Sequence, residues 1–195
     1  MKLFETLKFE DGVFHNLSLH QERLDKTLKD LNYPHSYSLE EILTKPQINS
    51  IHRTKFIYDQ TSYSFEHFTY KAKEVTSLTL VDASHIDYKY KKLNRSSIDY
   101  LKSQSEDEII LIQNDYVTDT SIANLYFLRN NTWYTPSSTL LKGTYQKLLI
   151  NQKKVKIADI KVEDIFTYEK IAVSNAMLGF FELNKDIIPN IKNRL

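Results

Sequence analysis

Cysteine is absent from this chain. That excludes disulfides, thiolate metal sites and a cysteine nucleophile, and it fits a reducing compartment. Glycine is nearly as scarce: Gly12, Gly143 and Gly179 are the only three in 195 residues. Three isolated glycines cannot build a dinucleotide loop or a P-loop. Charge of either sign is not in excess. The net value of +1 gives no electrostatic case for nucleic acid or an anionic membrane. The opening MKLFETLKFEDG holds no long apolar run, so neither a signal peptide nor a membrane span is expected, and a cytoplasmic location is the default. The six histidines show no ligand spacing and no HExxH occurs, so no metal site is expected.

What is present is the composition of a soluble globular protein, 41% hydrophobic and 26% charged. LFETLKF alternates, EDG marks a hairpin turn at Gly12, and VFHNLSL reads as a returning strand. A helix follows from Ser18, with Leu24, Leu28 and Leu31 as its apolar stripe. SLEEILTK is a second helix, with Ser38 and Glu41 as a capping box. HRTKFIYD and SYSFEHFTY read as a hairpin, and SLTLVDA as a further strand. We expect a small α+β domain over residues 1–81, a polar linker over 82–88 and a larger α/β domain over 89–195. In that larger domain NRSSIDYLKSQSE is a helix, EIILIQN, YVTDT, ANLYFLRN and NTWYTP are strands, and GTYQKLLINQ is a helix starting at Gly143. A cleft between two such domains is the natural place for a ligand.

Two stretches carry the chemistry. YKYKKLNR offers Lys89, Lys91 and Lys92, any of which could form an imine. If YKYKK is extended, Lys89 and Lys91 share a face and Lys92 points away. The ordinary reading of such a run is a solvated basic surface. YVTDTSIANLYF offers Asp119, whose ordinary reading is a strand-end aspartate bonding its own backbone.

FETLKFEDG, LHQERL, YKYKKLNR, VTDTSIANLYF, WYTPSSTLLKGT and IAVSNAM, in that order, resemble class IV aminotransferases. The likeness runs from about Phe4 to about Gly179, and the nearest resemblance is to aminodeoxychorismate lyase and its small bacterial relatives. It implies an α+β, two-domain, D-amino-acid aminotransferase-like fold, a homodimer, a small-molecule amino substrate, and pyridoxal 5'-phosphate in the interdomain cleft. It implies that Lys91, four residues before Arg95, binds the cofactor covalently, and that Asp119 faces the pyridine nitrogen. It places Arg23 on the phosphate, Gly143, Thr144 and Tyr145 on one phosphate turn, and Ser174, Asn175 and Ala176 on a second.

These residue types suit those roles. An arginine fork matches phosphate, a helix start offers N–H donors to a dianion, and a carboxylate keeps a ring nitrogen protonated. The Ser174 hydroxyl and the Asn175 amide would add donors. The chain departs from the family's pattern in three places. It begins at the FET strand, without the strand that precedes it in most relatives. Asp119 stands for the usual glutamate, and Gln146 beside Lys147 stands where an arginine usually follows the turn. Three functions stay open: a lyase giving 4-aminobenzoate and pyruvate, an aminotransferase on a branched-chain or D-amino acid, and a silent relative that acts by binding.

Overall fold

In the computed structural model, which describes residues 1–46 and 50–195, the chain forms two compact units. The first comprises Met1–Ala72 together with Tyr90–Asn94; the second comprises Lys73–Lys89 and Arg95–Leu195.

The first unit carries strands β1 (Leu3–Glu10), β2 (Val13–Phe14), β3 (His52–Tyr58) and β4 (Tyr63–Thr69), and helices α1 (Leu17–Asp30) and α2 (Leu39–Ile42). They make an antiparallel sheet in the order β2-β1-β3-β4. Asp11 and Gly12 both take positive φ, as a two-residue hairpin turn requires. The returning strand is much shorter than VFHNLSL suggested. Asn16 adopts the left-handed region at φ 53° and turns the chain into α1 at Leu17, so Ser18 lies inside the helix and is not its cap. Leu24 and Leu28 of α1 pack on Leu3 and Leu7 of β1 and Phe56 of β3. Each such fully buried side chain contributes about 1.5–3 kcal/mol. Ser38 caps α2 by accepting from the Glu41 amide at 3.4 Å.

In the second unit the strands are β5 (Leu78–Asp82), β6 (Glu108–Gln113), β7 (Tyr116–Thr120), β8 (Asn124–Arg129), β9 (Thr132–Pro136), β10 (Val155–Ala158), β11 (Lys170–Asn175), β12 (Gly179–Glu182) and β13 (Lys192–Arg194). Its helices are α3 (Ser96–Ser103) and α4 (Thr144–Asn151). The main strand order is β10-β9-β8-β7-β6-β5-β13, and β11 joins β8 to β12. The sheet is mixed: β13, β5 and β6 run parallel, as do β9 and β10, and the other pairs are antiparallel. Helices beside antiparallel and mixed sheet make the fold α+β.

The sequence reading placed SLTLVDA with the first domain, but β5 lies in the sheet of the second unit, paired with β6. Residues 82–88, read as a polar linker, bury Ala83, Ile86 and Tyr88 against Ile98 and Ile109. Those three apolar residues follow neither a helical nor a strand period, so periodicity does not reveal them.

Candidate active site

The first unit builds an ionic cluster on β1 and α1. Strand β1 buries Leu3, Glu5 and Leu7 on one face, so the alternation aims a carboxylate into the core. Arg23 of α1 meets it with Nε on Oε1 at 2.8 Å and Nη2 on Oε2 at 2.5 Å. His20, one helical turn earlier and 0% exposed, donates from Nδ1 to Oε2 at 2.6 Å. Burial opposes ionisation of Glu5, but the Arg23 charge and the His20 contact outweigh it and hold the carboxyl near pH 2. Burial pushes His20 below its ordinary 6.5, against the pull of Glu5, so the imidazole is neutral and its Nδ1 keeps the proton. Arg23, expected as a phosphate ligand, thus has one edge of its fork fixed by a carboxylate 18 residues away.

Lys91 also belongs to the first unit. YKYKK is not extended as supposed. The chain bends at Lys89 and Tyr90, and Lys92 donates to the Tyr90 carbonyl at 2.8 Å, a tight turn centred on Lys91. The turn is stitched to β1: the Phe4 amide donates to the Lys91 carbonyl at 3.0 Å, and the Leu93 amide to the Lys2 carbonyl at 2.9 Å. The ammonium of Lys91 lies 4.7 Å from the Phe4 ring centroid, and that of Lys55 lies 5.3 Å from it. Lys91 is half-buried and Lys89 exposed. Glu5, His20, Phe4 and Lys55 had no assigned role in the sequence reading. A glutamate in the inward phase of an alternating strand is the one signal that could have flagged the cluster.

The second unit holds the other candidates. Asp119, 5% exposed, sits opposite Asn124 where β7 meets β8. Its Oδ1 accepts from the Asn124 amide at 2.7 Å, and its Oδ2 from the Leu141 backbone N–H at 3.0 Å. Gly143 caps α4, followed by buried Thr144 and half-buried Tyr145. A helix start of this kind offers N–H groups to an anion. Gln146 is buried and donates to the Thr135 hydroxyl at 2.8 Å, so it braces the turn from inside the unit.

The second expected phosphate loop uses its side chains differently from our expectation. Ser174 is 0% exposed, and its hydroxyl pairs with that of Tyr126 at 2.7 Å. Asn175 accepts from the amides of Met177 and Leu178 at 2.9 and 2.8 Å, which closes the turn at Ala176. The Asn175 Nδ2, which donates to the Ile122 carbonyl at 3.4 Å, stays a donor, so a contribution of this loop to an anion would come from its backbone and from that amide. Among the described residues no group of three or more histidines and acids could hold a metal ion. No described helix is long and apolar enough to cross a membrane.

A model of the family Amino-transferase class IV matches residues 51–185, and the chain belongs to that family. More particularly, it is 35% identical over 185 residues to a protein of uncharacterised function from Haemophilus influenzae, covering 91% of this chain and 98% of that one. A crystal structure from Haemophilus somnus 129pt, provisionally named a 4-amino-4-deoxychorismate lyase, superposes with a TM-score of 0.84. It is 35% identical and covers 91% of this chain and 97% of its own. The fold is shared more widely: a provisionally named amino-acid aminotransferase from Mesorhizobium loti gives a TM-score of 0.79 at 17% identity, covering 94% and 98%.

The family is one of pyridoxal-phosphate enzymes, and the donor set fits that group. The first unit carries a half-buried lysine and a fixed arginine fork, and the second a clamped carboxylate and a helix start at Gly143. What disagrees is the Ser174 side chain, which is buried and already paired with Tyr126.

Proposed function

We propose that this protein is a pyridoxal-phosphate-dependent enzyme that acts on aminodeoxychorismate or a close amino acid, releasing pyruvate and 4-aminobenzoate. The observation that carries the reading is the 35% identity, over nearly the full length of both chains, to the Haemophilus somnus protein named provisionally for that reaction. In this reading Lys91 binds the cofactor covalently through Nζ. Arg23, the amides of Gly143, Thr144 and Tyr145, and the backbone of Ser174, Asn175 and Ala176 hold its phosphate. Asp119 holds a proton on the ring nitrogen.

When bound, the cofactor supplies a sink for the electron pair left as a bond to the amino-bearing carbon breaks. After the substrate amine has replaced it, Lys91 would take the proton from that carbon, and a proton delivered to the departing enolpyruvyl group would let it leave as pyruvate. Its Nζ lies over the Phe4 ring, 4.7 Å from the centroid, in a half-buried setting that fixes its position. Transfer of the amino group to a keto acid uses the same residues, and the family match supports it as a second reading. A cytoplasmic homodimer goes with either.

The test is borohydride reduction of the purified protein with pyridoxal phosphate, followed by mass spectrometry. The pyridoxyl adduct is expected on Lys91; an adduct on Lys89 or Lys92, or none, would overturn the assignment. Pyruvate released from aminodeoxychorismate, set against amino transfer to a keto acid, then separates the two reactions.

A further inference from the structure

The surroundings of Asp119 assign a role to a residue outside the expected set. Asn124 donates from Nδ2 to Asp119 Oδ1 at 2.7 Å and also to the Leu141 carbonyl at 2.9 Å. Both partners are acceptors, so the orientation of the amide follows from chemistry: the NH2 faces them and Oδ1 faces the other way. That oxygen points at Gly143. A Cβ built on Gly143 would stand 1.9 Å from Asn124 Oδ1 and 3.1 Å from its Cγ. The backbone of Gly143, at φ −71° and ψ 144°, is one that any residue can adopt. The glycine is there for room, and the occupant of that room is Asn124.

The same loop returns to the carboxylate, since the Leu141 N–H donates to Asp119 Oδ2 at 3.0 Å. Asp119, Asn124, Leu141 and Gly143 therefore form one closed set of contacts within the second unit. At one end stands the carboxylate proposed for the ring nitrogen, and at the other the turn proposed for the phosphate.

We propose that Asn124 is a positioning residue: it fixes the carboxylate of Asp119 and ties it to the turn at Gly143, so that the ring-nitrogen and phosphate contacts keep one spacing. This rests on the pyridoxal-phosphate reading above. It also accounts for how an aspartate serves where relatives use the longer glutamate. A shorter side chain reaches less far and tolerates less error in aim, and two donors to its two oxygens remove the freedom to rotate away.

The experiment compares apoprotein affinity for pyridoxal phosphate with affinity for its analogue in which a C–H replaces the ring nitrogen. A charged hydrogen bond to that nitrogen corresponds to a preference of about ten- to a hundredfold for the natural cofactor. We expect the parent to show that preference. Asn124→Ala should reduce it to less than about threefold, the level left once the charged bond is lost. Gly143→Ala, which leaves Asn124 chemically intact but drives it from its place, should do the same and serves if Asn124→Ala does not fold. A variant that holds both molecules less tightly in the same proportion shows a merely structural role and overturns the proposal. A parent that binds pyridoxal phosphate without preferring it to the analogue removes the ring-nitrogen contact of Asp119, and the proposal with it. A parent that binds neither removes the cofactor reading itself.

Discussion

Two of the buried carboxylates, Glu5 in the first unit and Asp119 in the second, are held by different kinds of donor. Glu5 is matched by charge, with the Arg23 fork across both oxygens and His20 on one of them. Asp119 accepts from the Asn124 side-chain amide and from the Leu141 N–H. Glu5 orients the Arg23 fork that meets both its oxygens. The donors on Asp119 come from a side-chain amide and a backbone amide, which fix the direction of its carboxylate.

The largest expected effect comes from breaking the charged case. Arg23→Ala strands Glu5 in the core, which typically costs about 3–5 kcal/mol. Urea unfolding should show it, whereas Asn124→Ala, which leaves Asp119 its bond from the Leu141 N–H, should cost less. Cofactor retention should fall in the Arg23 variant too. Equal stability losses in the two variants would erase the distinction.

Acid sharpens the same contrast. The folded value of Glu5 lies near 2, below its ordinary 4.5, so its contribution is present above pH 4.5 and is lost as pH falls from there toward 2. A displacement of that size corresponds to roughly 3 kcal/mol. His20 is also displaced downward and is buried neutral, so its contribution declines as pH falls below its ordinary 6.5, where the unfolded chain takes up a proton first. Thermal melting between pH 7 and pH 3 should show a loss that the double variant Glu5→Gln, Arg23→Met lacks in good part. A parental acid slope in that double variant would place the titration elsewhere.

The smallest effect is expected at Asp119. Asp119→Asn is nearly isosteric, but its NH2 must face one of the two donors, leaving that donor without an acceptor. The cost is about 1–3 kcal/mol, readable in the same urea titration. Proton abstraction from an amino substrate should slow strongly while the covalent adduct on Lys91 persists. Parental single-turnover rates would show that the ring nitrogen needs no carboxylate here.

The contrast also shows what the sequence could and could not disclose. Strands with a clean period, such as the FETLKF and EIILIQN runs, and the helix carrying Leu24 and Leu28 were legible because burial is written into their spacing. The brevity of β2 was not, because a left-handed Asn16 decides it and any number of polar residues look alike beforehand. Lys91, Asp119 and Arg23 were proposed through the family's motifs. Glu5 and Asn124 lie inside those same motifs, yet their partners stand 18 and 17 residues away, and no local pattern encodes such pairings. The tight turn at Lys91 was hidden for the same reason: Tyr90 and Lys92 close it while β1, from the far end of the unit, holds it in place.

That last pairing bears on the order in which a ribosome delivers the molecule. The first 72 residues do not contain the whole of the first unit, because Tyr90–Asn94 completes it and residues 73–89, which belong to the second unit, are made in between. Until they emerge, the Phe4 N–H and the Lys2 carbonyl face outward on a strand edge with no neighbour of their own. An open edge beside buried Leu3 and Phe4 is a place where another chain can pair. Lys91, the lysine proposed to hold the cofactor, is thus also on the segment that closes a nascent seam.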